Sequence, residues 1–576
     1  MAKINAGSAV VNVLKNWDVD HVYGLPGDSI DHIVDALQKE QEAIKFIHVR
    51  HEEVASLSAA AYTKLTGKIG VALSIGGPGA IHLLNGMYDA KMDKVPQLVL
   101  VGQIPSDLAN SDYFQEVNTS AIFEDVAVFN KEITRPEQLP LIVDQAIRTA
   151  YEKRGVAVVI IPDDIPANKI VDTVERVKEA KKPTQVGLNT PDLEAAVALI
   201  NESKKPVMLI GTGTKKAKAE VLAFSERFDI PVMSTLPGKG IMPDEHSNYL
   251  GNIGKIGTKP AFEAMQEADL LLMVGNDYPY GTYLPKDVKC IQIEIEPSRM
   301  GKRHDVTVGI VGDSKEALAY LTAHGEEVTN RPFLQACTKN MQTWWKWMEE
   351  HMARDTSPIA PQAVIKQIQR IADEDAIFSI DVGTSTVWST RYLKLGQKND
   401  FLVSAWLGTM GCALPGAIAS KIAYPNRQVI SLQGDGAFSM VMQDFATAVY
   451  YDLPIINVVL SNEQLSFIKY EQQAQGQLNY GIDHGDINFA KYAEACGGKG
   501  YRVENTADLE AVFTAAKADN CPVIIDVVVD PEAAPLPGKI VMDEAKGFAK
   551  FEIRTALEEK RIASMPPLKD VMRQFF

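Results

Sequence analysis

Nine short apolar runs, each followed by a helical pattern, restrict what this chain can become. They are GVALSI (70–75), QLVLVG (97–102), VAVVIIP (156–162), PVMLIG (206–211), DLLLMVG (269–275), AIFSIDVG (376–383), QVISLQGDG (428–436), PIINVVLSN (454–462) and CPVIIDVVV (521–529). Their apolar residues fall at successive rather than alternate positions, as in strands buried on both faces. Such strands alternating with helices form parallel sheets covered on both sides, so the expected fold class is α/β, built from doubly wound parallel sheets. With 576 residues, at about 150 residues per domain, three or four folded units are expected. Hydrophobic residues at 46% and charged residues at 23% are those of a globular protein, which excludes disordered, collagenous and coiled-coil classes.

Two stretches interrupt the alternation. VERVKEAKKPTQVGLNTPD (174–192) is charged and Pro-containing, and the segment from His324 to about Gln362 lacks a strand run, so both read as interdomain connections. Three doubly wound domains are expected, at 1–180, 185–345 and 355–535, with a tail at 540–576. Trp344, Trp345 and Trp347 lie in the second connection beside Met341 and Met348. Their helical spacing favours packing of a linker helix over a stacking platform for a ligand.

The formal net charge of −16, from 58 Lys and Arg against 74 Asp and Glu, argues against a nucleic-acid partner. Five scattered cysteines without a C-x-x-C pair point to thiols in a reducing compartment, not to a disulfide framework or thiolate metal site. No apolar stretch approaches the roughly 18 residues that span a bilayer, and a cytoplasmic location is expected. The tail from Asp543 onward carries seven Lys and Arg against six Asp and Glu, with Phe548, Phe551, Ile553, Leu557, Ile562, Phe575 and Phe576. It suits an amphipathic helix, either docked on its own domain or lying on a membrane surface. Pro566-Pro567 would interrupt any long helix there.

The most informative stretch is GDGAFSMVMQDFATAVYYDLPIINVVLSNEQ (434–464). One strand ends in Gly434-Asp435-Gly436 and the next in Ser461-Asn462, so a carboxylate and an amide project from carboxyl ends of strands, where α/β sheets bind ligands. Asp435, Asn462 and the carbonyl of Gln464 suit one hard cation such as Mg2+, which keeps a phosphate-bearing cofactor in its shell. Gly434, Gly436 and Ala437 would let backbone N–H groups approach a diphosphate. No Walker A sequence is present.

GDG followed by Asn at this spacing resembles the thiamine-diphosphate fingerprint, and the first domain carries the matching half. VRHEEVASLSAAAYTKLTGKIGVALSIGGPGAIHLLNGMYDA (49–90) contains that family's HE-x-x-A pattern. The resemblance makes Glu52 the carboxylate that activates the aminopyrimidine ring. GLPGDSI (24–30) and GGPGAIHLLNG (76–86) match the family's glycine-proline loops, implicating Gly27, Gly76, Gly77, Pro78 and Gly79. SIDVGTSTVWSTR (379–391) offers Gly383 and Thr384 to the diphosphate, and WLGTMGCALPG (406–416) places Met410 where the family supports the bent cofactor. In the middle, PVMLIGTGTKKAKAE, STLPGKGIMPD, VGNDYPY, IQIEIEPSRMGKRH and VGDS resemble the FAD-binding domain of pyruvate oxidases. Gly211, Gly213, Thr235, Asn276, Glu294 and Asp313 are the implied contacts. In flavin-free relatives the same domain is structural.

Across essentially the whole chain the sequence is similar to bacterial pyruvate oxidases, and most like the quinone-linked pyruvate oxidoreductases of Gram-positive bacteria. The resemblance implies thiamine diphosphate, Mg2+ and FAD as cofactors, and a substrate site of Phe114, Gln115, Val382, Phe467 and Glu471. It implies oxidative decarboxylation of pyruvate through a hydroxyethyl-thiamine intermediate, with electrons passing to FAD and then to a membrane quinone. Acetate and carbon dioxide are the products. The alternatives are a phosphate- and oxygen-dependent oxidase making acetyl phosphate and hydrogen peroxide, and a non-oxidative acetolactate-forming enzyme or decarboxylase. A non-catalytic paralogue would have lost Glu52, Asp435 or Asn462, and all three are present. The family's arrangement further implies a homo-oligomer, a dimer of dimers, with Glu52 and Asp435 acting across an interface. A tail on the inner face of the cell membrane would make the protein peripheral there.

Overall fold

Apolar runs buried on both faces form the middles of three six-stranded parallel sheets. The computed structural model describes residues 3–171, 187–535, 542–555 and 573. The first region contains β1 (Lys3–Asn5), β2 (His21–Gly24), β3 (Lys45–His48), β4 (Gly70–Ser74), β5 (Gln97–Gln103), β6 (Ala127–Glu132), β7 (Val156–Pro162) and β8 (Lys169–Val171). Its sheet runs β3-β2-β4-β5-β7-β6, while β1 and β8 form a separate antiparallel pair. The middle sheet is made of β9 (Pro206–Ile210), β10 (Val232–Ser234), β11 (Tyr249–Asn252), β12 (Leu270–Val274), β13 (Lys289–Glu294) and β14 (Val308–Val311), in the order β11-β10-β9-β12-β13-β14. The third holds β15 (Ile377–Ile380), β16 (Asp400–Leu402), β17 (Val429–Gly434), β18 (Ile456–Ser461), β19 (Lys499–Val503) and β20 (Val523–Val528), in the order β16-β15-β17-β18-β20-β19.

Numbered within each sheet, the first and third share the order 2-1-3-4-6-5, and the middle one runs 3-2-1-4-5-6. Each therefore has a point where the winding reverses, between β2 and β4, β9 and β12, and β15 and β17. Crevices for ligands open at such points, at the carboxyl ends of the strands. The fold is α/β, as the sequence requires.

The first and third sheets are joined through one core. The helix Glu52–Thr66 is rich in Ala and Ser, so its backbone lies close to the helix Ala413–Ala423, and Ser58 Oγ donates to the Pro415 carbonyl at 3.1 Å. Val54, Ala55 and Ala59 share a hydrophobic cluster with Leu414, Ala417 and Ile418. Truncating a fully buried residue such as Leu414 to Ala would leave a cavity costing about 2–5 kcal/mol.

A second shared core joins the middle and third sheets through the helix Pro332–Met352, whose Trp344 and Trp347 are buried and meet edge to face at 5.2 Å. The tryptophans are therefore packing, not a ligand platform. Of the first expected connection, 174–186 lies outside the described residues. The cysteines are free thiols. Among the described residues no helix is long and apolar enough to cross a membrane.

In the tail, the helix Met542–Arg554 is docked on the helix Ser466–Ala474. Phe551 is buried, the Phe548 ring lies 5.4 Å from that of Tyr470, and Arg554 Nη1 donates to the Gly476 carbonyl at 3.3 Å. A Cβ on Gly547 would sit 1.7 Å from the Ala474 carbonyl oxygen, so only glycine allows this approach. Arg573 pairs with Glu350 at 2.8 Å. Leu557, Ile562, Pro566, Pro567, Phe575 and Phe576 lie outside the described residues.

Candidate functional site

At the reversal point of the third sheet, β17 ends at Gly434 and a helix begins at Asp435. Asp435 is buried, and its carboxylate accepts N–H bonds from Gly436 (2.9 Å), Asn462 (2.8 Å) and Glu463 (2.6 Å). Burial raises its carboxyl above the usual range against those bonds. Asn462 Oδ1 accepts from Gln464 N at 3.1 Å, which curls the 462–464 turn back beneath Asp435. A carboxylate, an amide oxygen and a backbone carbonyl form an all-oxygen set, which fits Mg2+ and does not suit a soft metal. Nothing stands within 4 Å of where a Cβ on Gly434 or Gly383 would point, so both strand ends leave room for a bulky group between them. Gly383 has φ +139°, a conformation reserved for glycine. Thr384 opens the helix Thr384–Tyr392, and Ala437 lies in the first turn after Asp435. His484 Nε2 lies 3.4 Å from Asp435 Oδ1.

The first sheet gathers its loops at the same kind of edge. Glu52 is the first residue of its helix, 5% exposed, with Oε2 2.9 Å from His82 Nδ1. The GGPG turn lies against it, since a Cβ on Gly79 would come 3.1 Å from Glu52 Oε1. Gly77, at φ +58°, faces the carbonyl of Gln115, where a Cβ would meet oxygen at 2.9 Å. Gly76 packs on the Gly102 carbonyl, Gly27 on Ile75, and Pro78 starts the short helix after the turn. Gln115 holds the left-handed φ of +63°, and Phe114 beside it is 74% exposed.

His51, Glu52 and His82 bring potential ligand atoms within 4.8 Å of one another. They do not form a metal cage. His51 Nδ1 accepts the Glu53 N–H as helix cap, which leaves its Nε2 protonated, and its ring stacks on His82 at 4.5 Å, so the ring lone pairs do not converge. A carboxylate hydrogen-bonded to an imidazole is suited to proton exchange.

In the middle sheet the sequence-derived residues sit at the carboxyl ends of five strands. Gly211 and Gly213 follow β9, Thr235 follows β10, Asn276 follows β12, Glu294 ends β13 and Asp313 follows β14. The two glycines let the ends of β9 and β12 cross, because a Cβ on either would lie 2.5–2.6 Å from Asn276 or Gly275. Asn276 Nδ2 donates to the Leu209 carbonyl at 2.8 Å, Glu294 Oε1 accepts from Ile295 N at 2.9 Å, and Asp313 caps the helix Ser314–His324 through Lys315 N at 2.8 Å. These side chains build the rim of the crevice. Thr235 is buried beside them.

The three sites are differently connected. Lys255, on the loop after β11, lies 3.4 Å from Glu471 and over the rings of Phe467 (5.4 Å) and Tyr470 (5.1 Å). The loop is fixed by buried Arg391, which donates to the carbonyls of Lys255, Ile256 and Gly257. Phe467 and Glu471 thus meet a cation from the middle domain, and Val382 packs against the same core. Glu52 and Asp435 are not brought together. Instead Arg50 N donates to Asp444 at 2.8 Å and His48 N to Tyr451 Oη at 2.8 Å, so the Glu52 loop meets the far end of the helical segment that Asp435 begins. Asp444 ends the 3-10 turn Met442–Asp444 that follows the helix Asp435–Val441. Met410 lies on a loop tied to the first domain through Asn85, which donates to both Glu53 (2.6 Å) and Thr409 (2.8 Å).

Sequence reasoning missed Lys255, His82, Asp381 and His484. Lys255 is the cation of the glycine-flanked GNIGKIG, and His82 and Asp381 lie inside stretches already singled out. Their partners are remote in sequence.

Comparison with known proteins gives three family matches in order. The thiamine pyrophosphate enzyme N-terminal TPP binding domain matches 4–122, the central domain 193–321 and the C-terminal TPP binding domain 381–527. YdaP of Bacillus subtilis, provisionally named a thiamine pyrophosphate-containing protein, is 48% identical over the full length of both chains. A pyruvate oxidase of Lactiplantibacillus plantarum is 40% identical over 99% of this chain and 96% of its own. The acetolactate synthase large subunit of Corynebacterium glutamicum is 32% identical over 93% and 88%.

Proposed function

The chain belongs to the thiamine pyrophosphate enzyme family, and from that premise we propose that it oxidatively decarboxylates pyruvate, passing electrons to FAD and then to a membrane quinone. Pyruvate, water and quinone would yield acetate, carbon dioxide and quinol. The observation that carries the flavin part is the middle sheet, whose 3-2-1-4-5-6 order is that of dinucleotide-binding sheets, with its reversal point flanked by Gly211, Gly213 and Gly275. The 40% identity to a pyruvate oxidase supports the same reading.

Bound thiamine diphosphate supplies an electron sink for the bond broken to release carbon dioxide, and FAD takes up the electron pair. The chain's own residues do the rest. Asp435, Asn462 and the Gln464 carbonyl hold Mg2+, and Gly383, Thr384, Gly434, Gly436 and Ala437 leave room and N–H groups for the diphosphate. Glu52 would hold a proton toward the aminopyrimidine, with His82 hydrogen-bonded to its Oε2. Val382 and Phe467, with Glu471 and Lys255, would face Phe114 and Gln115 of another copy to make a largely apolar site for a short 2-oxo acid.

Because Glu52 and Asp435 lie apart within one chain, the reading takes the complete site to form between two copies, Glu52 from one and Asp435 from the other. Phe114, Tyr113 and Ile81 are exposed around the first-domain loops and supply the apolar face that a second copy would cover. A dimer of dimers follows as the proposed assembly, and a monomer would be inactive. The quinone branch is favoured by the slightly basic tail, whose helix sits on the element bearing Phe467 and Glu471, and it would place a cytoplasmic protein on the inner face of the membrane.

Anaerobic reduction of the yellow holoenzyme by pyruvate, followed by reoxidation, tests the proposal. Fast reoxidation by a quinone analogue in lipid, with acetate as product, is expected. Fast reoxidation by oxygen with phosphate, giving acetyl phosphate, would replace it with the soluble oxidase. A colourless protein that forms acetolactate would remove FAD.

A further inference from the structure

Asp381 is buried with no exposed surface, and its carboxylate has no role in the reaction described above. It sits at the end of β15, where its own N–H continues the ladder to the Leu432 carbonyl at 2.9 Å. Its Oδ1 accepts from Val382 N (2.8 Å) and Gly411 N (2.9 Å), and its Oδ2 from Ala413 N (2.9 Å). Its carbonyl accepts the hydroxyls of Ser385 (2.9 Å) and Thr386 (2.7 Å). One residue therefore fastens two segments about thirty residues apart, the 382–386 turn and the loop that carries Met410. That loop is held at its other end by Asn85 through Thr409.

A buried carboxylate is a costly way to close a turn, since removing it from water costs several kcal/mol before its bonds are counted. Burial raises its carboxyl to about 6 while the Ala413, Val382 and Gly411 N–H bonds pull the other way, so at neutral pH it remains the acceptor for all three. A neutral Asn could accept on one atom only and would turn an N–H2 toward the Ala413 N–H.

We propose that Asp381 is a positioning residue whose carboxylate pins the Gly383-Thr384 turn and the Met410 loop to one point, fixing the spacing between the diphosphate end of the cofactor and its apolar support. The proposal rests on the cofactor assignment made above and adds a residue that touches neither cofactor nor substrate. It acts through Met410.

The test is thiamine diphosphate binding to the Mg2+-containing protein, read by affinity and by the near-ultraviolet circular dichroism of the bound cofactor. Asp381→Asn is expected to weaken binding about 10- to 100-fold, the range for one unpaired buried donor, and to change the dichroic band. Asp381→Glu, which keeps the charge, should recover part of the affinity. Met410→Ala added to Asp381→Asn should cost little beyond the larger single effect. Unchanged affinity and dichroism in folded Asp381→Asn, or fully additive effects with Met410→Ala, would overturn the clamp while leaving the function intact. If Asp381→Asn fails to fold, Asp381→Glu with wild-type affinity and unaltered coupling to Met410 would overturn it too. Wild-type protein that binds no thiamine diphosphate would overturn both readings.

Discussion

The first and third domains share one strand order, 2-1-3-4-6-5, yet they set different groups at its carboxyl edge. In the first, the carboxylate at the working edge starts a helix and meets an imidazole, so it is placed to move a proton. In the third, the carboxylate also begins a helix and has an imidazole 3.4 Å away, but it is bonded by three backbone N–H groups beside an amide and a carbonyl, which suits holding a cation. Strand one ends differently as well, in Gly24-Leu25-Pro26-Gly27 in the first domain and in Asp381-Val382-Gly383 in the third. The sheet sets where a site forms, and the two or three residues after each strand set what it does.

Four changes break or sharpen this contrast. Glu52→Gln should keep Mg2+ and cofactor affinity but lower decarboxylation by about 10²- to 10⁴-fold, the usual weight of acid-base catalysis. Near-normal turnover would remove the proton role. Asp435→Ala should do the reverse, weakening Mg2+ and thiamine diphosphate together by about 100-fold or more, since changing a group that merely hydrogen-bonds a metal ligand already costs about 10- to 100-fold. Unchanged cofactor titrations would take Asp435 off the ligand list.

The contact between the two domains carries a pH signature. Asp444 is buried, and burial raises its carboxyl to about 6, against the Arg50 N–H and the Thr447 hydroxyl. Its unfolded value is about 3.9, so the folded chain binds more protons across that window. Its stabilising contribution is full below about pH 4 and lost as pH rises through 6. Asp444→Asn should flatten the melting temperature against pH between those values, with the other buried carboxyls that burial raises, Asp381 among them, supplying the remaining slope, and an unaltered profile would show that Asp444 is not titrating there. The smallest effect is expected at Lys255, whose pair with Glu471 is about one-third exposed and worth at most about 1 kcal/mol. Lys255→Met should raise KM for pyruvate by up to about fivefold, and Lys255→Arg should restore it. A fall in kcat with KM unchanged would give Lys255 a different task.

What could be read from the residues follows the same physical divide. The nine apolar runs are β4, β5, β7, β9, β12, β15, β17, β18 and β20, which occupy sheet interiors. The runs that escaped notice include KFIH, AVFNKE, YLGN, VGIV, DFL and KGYRV, six rim strands with one free edge and a mixed composition. β2 is interior but only four residues long. At the site, groups about 25 residues apart on successive strand ends, such as Asp435 and Asn462 or Glu52 and the GGPG turn, are legible because a strand end fixes their direction. Lys255 meets Glu471 across 216 positions, and no local pattern announces that. Asn276 and Glu294 read as cofactor contacts, and here Asn276 also ties the end of β12 to β9 while Glu294 holds the turn that follows its own strand. Sequence alone cannot separate those two uses.

The seating of Arg50 on Asp444, far from Asp435, has a consequence at the level of genetics. If each complete site takes Glu52 from one copy and Asp435 from the other, two dead alleles can repair one another. A mixed dimer of Glu52→Gln and Asp435→Ala chains contains one doubly damaged site and one wild-type site. Random pairing would make about half the dimers mixed, so co-expression should return about a quarter of normal activity, whereas each allele alone returns almost none. Sites built within single chains would give no such rescue.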